Sequence, residues 1–372
     1  MKSLATNLVL LLCSVAVVTA GAELFLRFFP QYLPPVARMR VHWMQQPAPV
    51  GRTDPEIGYL LPANFHQHIH AGDVDFDYST DAHGFRNPSP WPDSATIVII
   101  GDSEVFGYGV GDDSGWTRLL ENQLPGSTVI NLGVPGMAPQ EYFRIYRRFG
   151  VPLHPKLLIF GLFPGNDLGD ERQFDAWLKA GSPGDFATWK ISRGKTSGLL
   201  RRIAQHSYLF WFLRTTEQRL GRATWEERPL TFPDGSRMRF APSFLAQEAA
   251  LAKPTNPAFR SVMHSIEQSR ALAEHNGTAF LVLILATKED VYMPLRGDSV
   301  PPVRTAFVMA LQANGIPFLD LTPPMQAVAR QHKRLFFEVD GHPDQAGYHV
   351  IANAVLAQLR TYAATYHLHE QP

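Results

Sequence analysis

Cysteine is nearly missing from this chain: Cys13 is the only one in 372 residues. No disulfide within the chain can form, and no multi-cysteine zinc site can be built. Cys13 lies in the most apolar stretch, where a thiolate is disfavoured, so it is a poor nucleophile. Net charge is missing too, since 34 Lys and Arg balance 34 Asp and Glu. A nucleic-acid binder needs a basic field to displace counterions, and this composition supplies none. Clusters such as Arg144, Arg147 and Arg148 read as the solvated face of a helix. The sequence has no internal repeat and no low-complexity tract.

What is present is apolar material spread along most of the chain. Hydrophobic residues make up 45% and charged residues only 18%, a balance that excludes a wholly disordered protein. A chain of this length can bury about 75% of its unfolded surface, so it needs no covalent staples.

One long uncharged run stands at the N-terminus. Residues 8–22 read LVLLLCSVAVVTAGA, and Leu24, Phe25, Leu26, Phe28 and Phe29 extend it past Glu23. Residues 1–29 are expected to form an uncleaved single-span anchor. A cleaved signal peptide is the alternative, because small residues occupy 19–22. Lys2 predicts a cytoplasmic N-terminus and a body on the periplasmic or extracellular side. Leu12 stands where a lipobox ahead of Cys13 would need a small residue.

Residues 30–94 are expected to be a linker followed by an extended segment with a turn at His83-Gly84. From residue 95 the rhythm changes. Short apolar runs at 96–100, 127–133, 156–160, 278–286 and 317–321 predict strands, and amphipathic stretches at 116–123, 138–150, 258–275, 303–314 and 344–362 predict helices. The alternation predicts an α/β fold over 95–365, a mostly parallel sheet with helices on both faces. Residues 170–255 break the alternation and are expected to be a partly helical insertion between the third and fourth strands, placed to cap the site.

In a doubly wound sheet, ligands sit at the carboxyl ends of the strands. Gly101-Asp102-Ser103 follows the first strand, and Asn131 to Gly136 lie in and just past the second. Gly161 to Asp167 follow the third, and Asp340-Gly341-His342 precede the last helix. The set has the parts of an acyl-transfer site. Ser103 can act as a nucleophile once a base takes its proton, His342 titrates near neutral pH, and Asp340 can orient the imidazole. Developing oxyanion charge needs donors, which the backbone N–H groups of Ser103 and Gly136 and the side-chain amide of Asn166 can supply. Gly133 is the alternative to Gly136.

These blocks resemble the SGNH (GDSL) family of serine esterases and acyltransferases. The resemblance covers roughly residues 95–170 and 275–360. It implies a flavodoxin-like three-layer α/β/α sandwich, Ser103, Asp340 and His342 as catalytic residues, oxyanion donors at Gly136 and Asn166, and no metal or cofactor. The chain departs from the family pattern at four places. No spacer separates Gly165 from Asn166, Glu104 stands where Leu is usual, the last block reads Asp-x-His rather than Asp-x-x-His, and Pro343 follows the histidine. The expected activity is hydrolysis of carboxylic esters, probed first as acetyl esters of envelope or extracellular carbohydrate. Two alternatives stand beside it. One is an O-acetyltransferase for a surface polysaccharide, which would need a multi-spanning partner as acyl donor. The other is a catalytically silent envelope scaffold.

Three further signals carry less. His66, His68 and His70, followed by Asp73, Asp75 and Asp77, are expected to form a solvated strand face rather than a metal site. Gly194-Lys195-Thr196 lacks the earlier glycine of a phosphate loop. The aromatic cluster at 208–212 is expected in a core or lining a pocket.

Overall fold

The computed structural model describes residues 2–34, 37–38, 41, 51–192, 206–221, 229–366 and 368. The Gly194-Lys195-Thr196 motif lies outside them.

Two small antiparallel hairpins come first: β1 (Arg52–Asp54) with β2 (Gly58–Leu60), and β3 (His66–Ala71) with β4 (Val74–Ser79). The main sheet follows, with β5 (Ile97–Gly101), β6 (Val129–Gly133) and β7 (Leu157–Leu162). A hairpin of β8 (Leu230–Thr231) and β9 (Arg237–Met238) stands apart, and β10 (Ala279–Ile284) and β11 (Phe318–Asp320) complete the main sheet. Its order is β6-β5-β7-β10-β11, and every pair is parallel. Counting only these five strands, the order is 2-1-3-4-5, the flavodoxin-like doubly wound arrangement. All five expected strands form, with ends shifted by one or two residues at most positions.

Both faces of this sheet are covered, which is why its strands read as unbroken apolar runs. Successive residues of one strand go to opposite cores. Val98 and Ile100 join one hydrophobic cluster with Tyr142, Val262 and Phe307. Ile97 and Ile99 join the other with Trp116, Met325 and Val355. The helices Pro139–Ile145, Pro257–His275 and Val303–Ala313 lie on the first face, and Trp116–Asn122, Thr322–Ala329 and Gln345–Thr361 on the second. The result is the expected three-layer α/β/α sandwich.

Residues 170–255 hold most of the helix Asp167–Lys179, the helices Phe186–Ser192, Tyr208–Gly221 and Pro242–Leu251, and the β8–β9 hairpin. The segment 51–94 does not trail off the domain. Ile57, Leu60, Val74, Phe76, Tyr78 and Phe85 are buried in the first of the two cores. At the N-terminus, Lys2–Phe28 is one helix. Its stretch Thr6–Phe28, with a mean hydropathy of 2.3 over its most apolar 18 residues, is long and apolar enough to cross a membrane.

Candidate active site

The end of β5 turns sharply into a four-residue helix, Ser103–Phe106. Asp102 caps it, its Oδ1 accepting the Glu104 N–H at 2.9 Å. The cap fixes the turn, and Ser103 becomes the first helical residue, 7% exposed. At the other end of the chain, Asp344 caps the helix Gln345–Thr361 by accepting the Gly347 N–H. Asp340, Gly341 and His342 form the turn just ahead of it.

The two turns meet. The Ser103 hydroxyl and His342 Nε2 share a hydrogen bond of 2.8 Å, in which the hydroxyl donates when the ring is neutral. The Nδ1–H of the same ring donates to Asp340 Oδ1 at 2.6 Å. Asp340 Oδ1 also accepts the backbone N–H of His342 at 2.9 Å, so the carboxylate grips both the ring and its backbone. Since an ionised carboxylate only accepts, the proton between them belongs to Nδ1, and in the neutral ring Nε2 is then the acceptor. The Tyr108 ring stands 4.7 Å from the imidazole, centroid to centroid, and covers one face.

Charge reinforces this geometry. Burial works against a charged imidazole, but the Asp340 carboxylate and its hydrogen bond, with Glu104 and Asp102 behind, outweigh it and push the His342 pKa up to about 9. Burial would raise the Asp340 pKa, and the imidazolium and Lys288 instead hold it below the usual carboxylate range. Burial pushes the Glu104 carboxyl well up, and neither of its oxygens has a hydrogen-bond partner among the described residues. Burial also raises Asp102, to about 6, against the Glu104 N–H, the imidazolium and the Asn166 amide.

The oxyanion candidates separate on their hydrogen bonds. The N–H of Gly133 is taken by Asn131 Oδ1 at 2.8 Å. The N–H groups of Ser103 and Gly136 have no acceptor among the described residues. Gly136 has φ +77°, a left-handed conformation open to glycine, and a Cβ there would stand 3.1 Å from the Tyr59 hydroxyl. Asn166 sits at the N-terminus of the helix Asp167–Lys179, with its side chain beside Asp102 and its Oδ1 lacking a partner among the described residues. Ser103, Asp340 and His342 are thus joined by hydrogen bonds. Gly136 follows β6 and Asn166 follows β7, on the same carboxyl edge of the sheet as Ser103.

Several residues that brace these loops carry no motif. Arg86, buried, donates to the carbonyls of Phe106, Gly107 and Val110 at 3.3, 2.6 and 2.5 Å, tying down the chain after Ser103. Tyr59 donates to the Pro135 carbonyl. Lys190 donates to the Gly136 carbonyl at 3.1 Å and pairs with Asp170 at 2.5 Å. Of the alternating His and Asp residues, His66, His68 and His70 are exposed on β3, where the last two bond to Asp77 and Asp75 across the hairpin. Asp73 departs from that solvated face. It lies in the turn, and its carboxylate accepts the N–H groups of Val339 and Asp340. Among the described residues, no group of three or more His, Cys, Asp or Glu is disposed to hold a metal ion.

A three-layer fold with a serine, histidine and aspartate joined at the carboxyl edge of its sheet defines a serine-hydrolase-like α/β protein. The family model for GDSL-like lipases and acylhydrolases matches residues 99–350. The chain belongs to that family and, with it, to the carboxylic ester hydrolases. A search of curated proteins finds no match. Among solved structures, a member of the lipolytic G-D-S-L family from Veillonella parvula is 13% identical, with a TM-score of 0.35, covering 70% of this chain and 96% of that one. A GDSL-like lipase from Bacteroides thetaiotaomicron is 11% identical (TM-score 0.37), covering 74% and 92%. A catalytic mutant of an acetylxylan esterase from Geobacillus stearothermophilus is 12% identical (TM-score 0.36), covering 73% and 96%.

Proposed function

We propose that this chain is an exported, membrane-anchored serine esterase that cleaves carboxylic esters through an acyl-enzyme. The observation that carries the reading is the continuous hydrogen-bond chain from Ser103 through His342 to Asp340. Ser103 Oγ attacks the ester carbonyl carbon while His342 Nε2 takes its proton. Asp340 holds the Nδ1–H and balances the imidazolium. The oxyanion receives the N–H groups of Ser103 and Gly136 and the Asn166 amide. The C–O bond to the alcohol then breaks, and the alcohol leaves with the proton held on Nε2. Water, deprotonated by the same nitrogen, attacks the acyl carbonyl, and Ser103 recovers its hydrogen as the free acid departs.

The end of the apolar helix is tied to the rest of the protein. The Glu23 carboxylate, near the end of the apolar helix, accepts the backbone N–H groups of Tyr208 and Leu209 at 3.1 and 2.8 Å and so caps the helix Tyr208–Gly221. Arg27 bonds to the carbonyl of His206, ahead of the same helix. A catalytic domain tethered outside the cytoplasm meets acetylated carbohydrate, which makes acetyl esters of envelope or extracellular sugars the proposed substrates.

The test is hydrolysis of a short-chain aryl ester, then of acetylated oligosaccharides, by wild type and Ser103→Ala. The wild type should release alcohol and acid, and the variant should not. Equal rates in the two would remove the assignment.

A further inference from the structure

The turn that carries Asp340 and His342 is contracted. One residue separates them, and the Asp340 carboxylate reaches both the ring and the backbone N–H of His342. To fit so tight an Asx-type turn, the backbone leading into it curls on itself. Its carbonyls consequently converge. Those of Phe337, Glu338, Val339 and Asp340 lie 3.0, 3.4, 3.3 and 2.7 Å from a single atom, the Lys288 Nζ.

Lys288 opens the short helix Lys288–Tyr292, which follows β10, and is only 2% exposed. A buried ammonium is costly unless its donors are used and its charge is met. Here three N–H donors are shared among four carbonyls, and Glu289, Asp340, Asp73 and Glu338 supply opposing charge against the downward push of burial on the lysine. A neutral donor of this size could not serve four acceptors arranged around one point. The amides of the same stretch are held from the other side. The Asp73 carboxylate accepts the Val339 N–H at 2.7 Å and the Asp340 N–H at 3.3 Å. A cation thus gathers the carbonyls and an anion gathers the amides, over the residues that aim Asp340.

We propose that Lys288, seconded by Asp73, is a positioning residue that holds the contracted Asp340–His342 turn in register with Ser103. The proposal rests on the catalytic reading of those three residues. It gives a physical reason why a short Asp-x-His spacing works here: an internal cation gathers the carbonyls of the curled backbone, that of Glu338 being shared with the Arg239 N–H at 2.7 Å. Neither residue touches substrate; both act through Asp340.

The test uses the detergent-solubilised full chain and the isosteric variant Lys288→Met. Three quantities are read: the melting temperature, kcat and KM on p-nitrophenyl acetate, and the low-field proton resonance of His342 Nδ1–H in the bond to Asp340. In folded Lys288→Met, kcat should fall about 10²-fold with KM little changed, as expected when reacting groups lose about 1 Å of alignment. The low-field resonance should shift upfield or broaden away. A folded variant with wild-type kcat and resonance overturns the proposal. If Lys288→Met does not fold, Asp73→Asn decides. It keeps Lys288 and removes one acceptor and the charge, so kcat should drop about tenfold at constant KM with a displaced resonance. Wild-type values in that variant overturn the proposal equally. Failure of the catalytic reading looks different: the wild type would not hydrolyse the ester, or Ser103→Ala would hydrolyse it as well. The resonance, which needs no turnover, would still report on the turn.

Discussion

Ser103 and His342 are 239 residues apart in the chain, and their side chains meet at 2.8 Å. The sheet brings this about. Ser103 follows β5, an inner strand flanked by β6 and β7, and the turn carrying His342 enters the helix that packs against one face of the sheet. Because serine and histidine act as one unit, Ser103→Ala and His342→Ala should each lower kcat by about 10⁴–10⁶-fold, and the double variant should be no worse than either. Steady-state rates on an aryl acetate check this; additive losses would contradict the unit.

The rise of kcat/KM with pH should follow His342, which must be neutral to accept a proton. Its raised pKa puts the midpoint above that of ordinary imidazole, up to about 9. Asp340→Asn removes the main charge holding the proton, while burial remains and opposes it. The midpoint should therefore move down, together with a large fall in kcat. The same shift has a stability consequence. A histidine with a raised folded pKa contributes stability that is complete below about 6.5 and fades as pH rises through about 9. Unfolding free energy measured across that window should decline, and less so in His342→Gln.

Asn166→Ala should lower kcat about 10²–10³-fold, as expected for removal of one oxyanion donor, with little change in melting temperature. Gly136→Ala should cost activity as well. It forces an L-residue to φ +77° and sets a Cβ 3.1 Å from the Tyr59 hydroxyl. An Asn166→Ala enzyme of wild-type rate would remove Asn166 from the site.

Arg86→Met should destabilise the fold by about 3 kcal/mol, because it strips the donor from three carbonyls following the Ser103 helix. Urea denaturation checks this, and a loss below about 1 kcal/mol would show that the brace is dispensable.

Deleting residues 2–29 should release the protein from the membrane fraction, whereas the intact chain should resist alkaline carbonate extraction. Intact mass of the mature wild type should include the N-terminal helix. A mature N-terminus near residue 20 would favour the signal-peptide alternative.

The core of the fold was legible because parallel strands covered on both faces are unbroken apolar runs, as at 97–101 and 157–162. The loops of the site were legible because short blocks of Gly, Ser, Asn, Asp and His sit just past those runs. Gly133 and Gly136 were not separable in the sequence; the claim of Asn131 on the Gly133 N–H distinguishes them, and it exists only in three dimensions. The helix Ser103–Phe106 has four residues, too few for a helical period to register. Nothing in the sequence tied Lys288 or Asp73 to this turn, and Asp73 read only as part of the His and Asp alternation. Their partners are backbone atoms 49 to 52 and 266 to 267 positions away, and backbone atoms have no sequence signature.

The most direct test of the account is covalent labelling of the full-length protein with a fluorophosphonate, mapped by peptide mass. A single adduct on Ser103, formed rapidly in the wild type and far more slowly in His342→Ala, is the predicted result. Labelling that bypasses Ser103, or that proceeds equally fast without the imidazole, would contradict it.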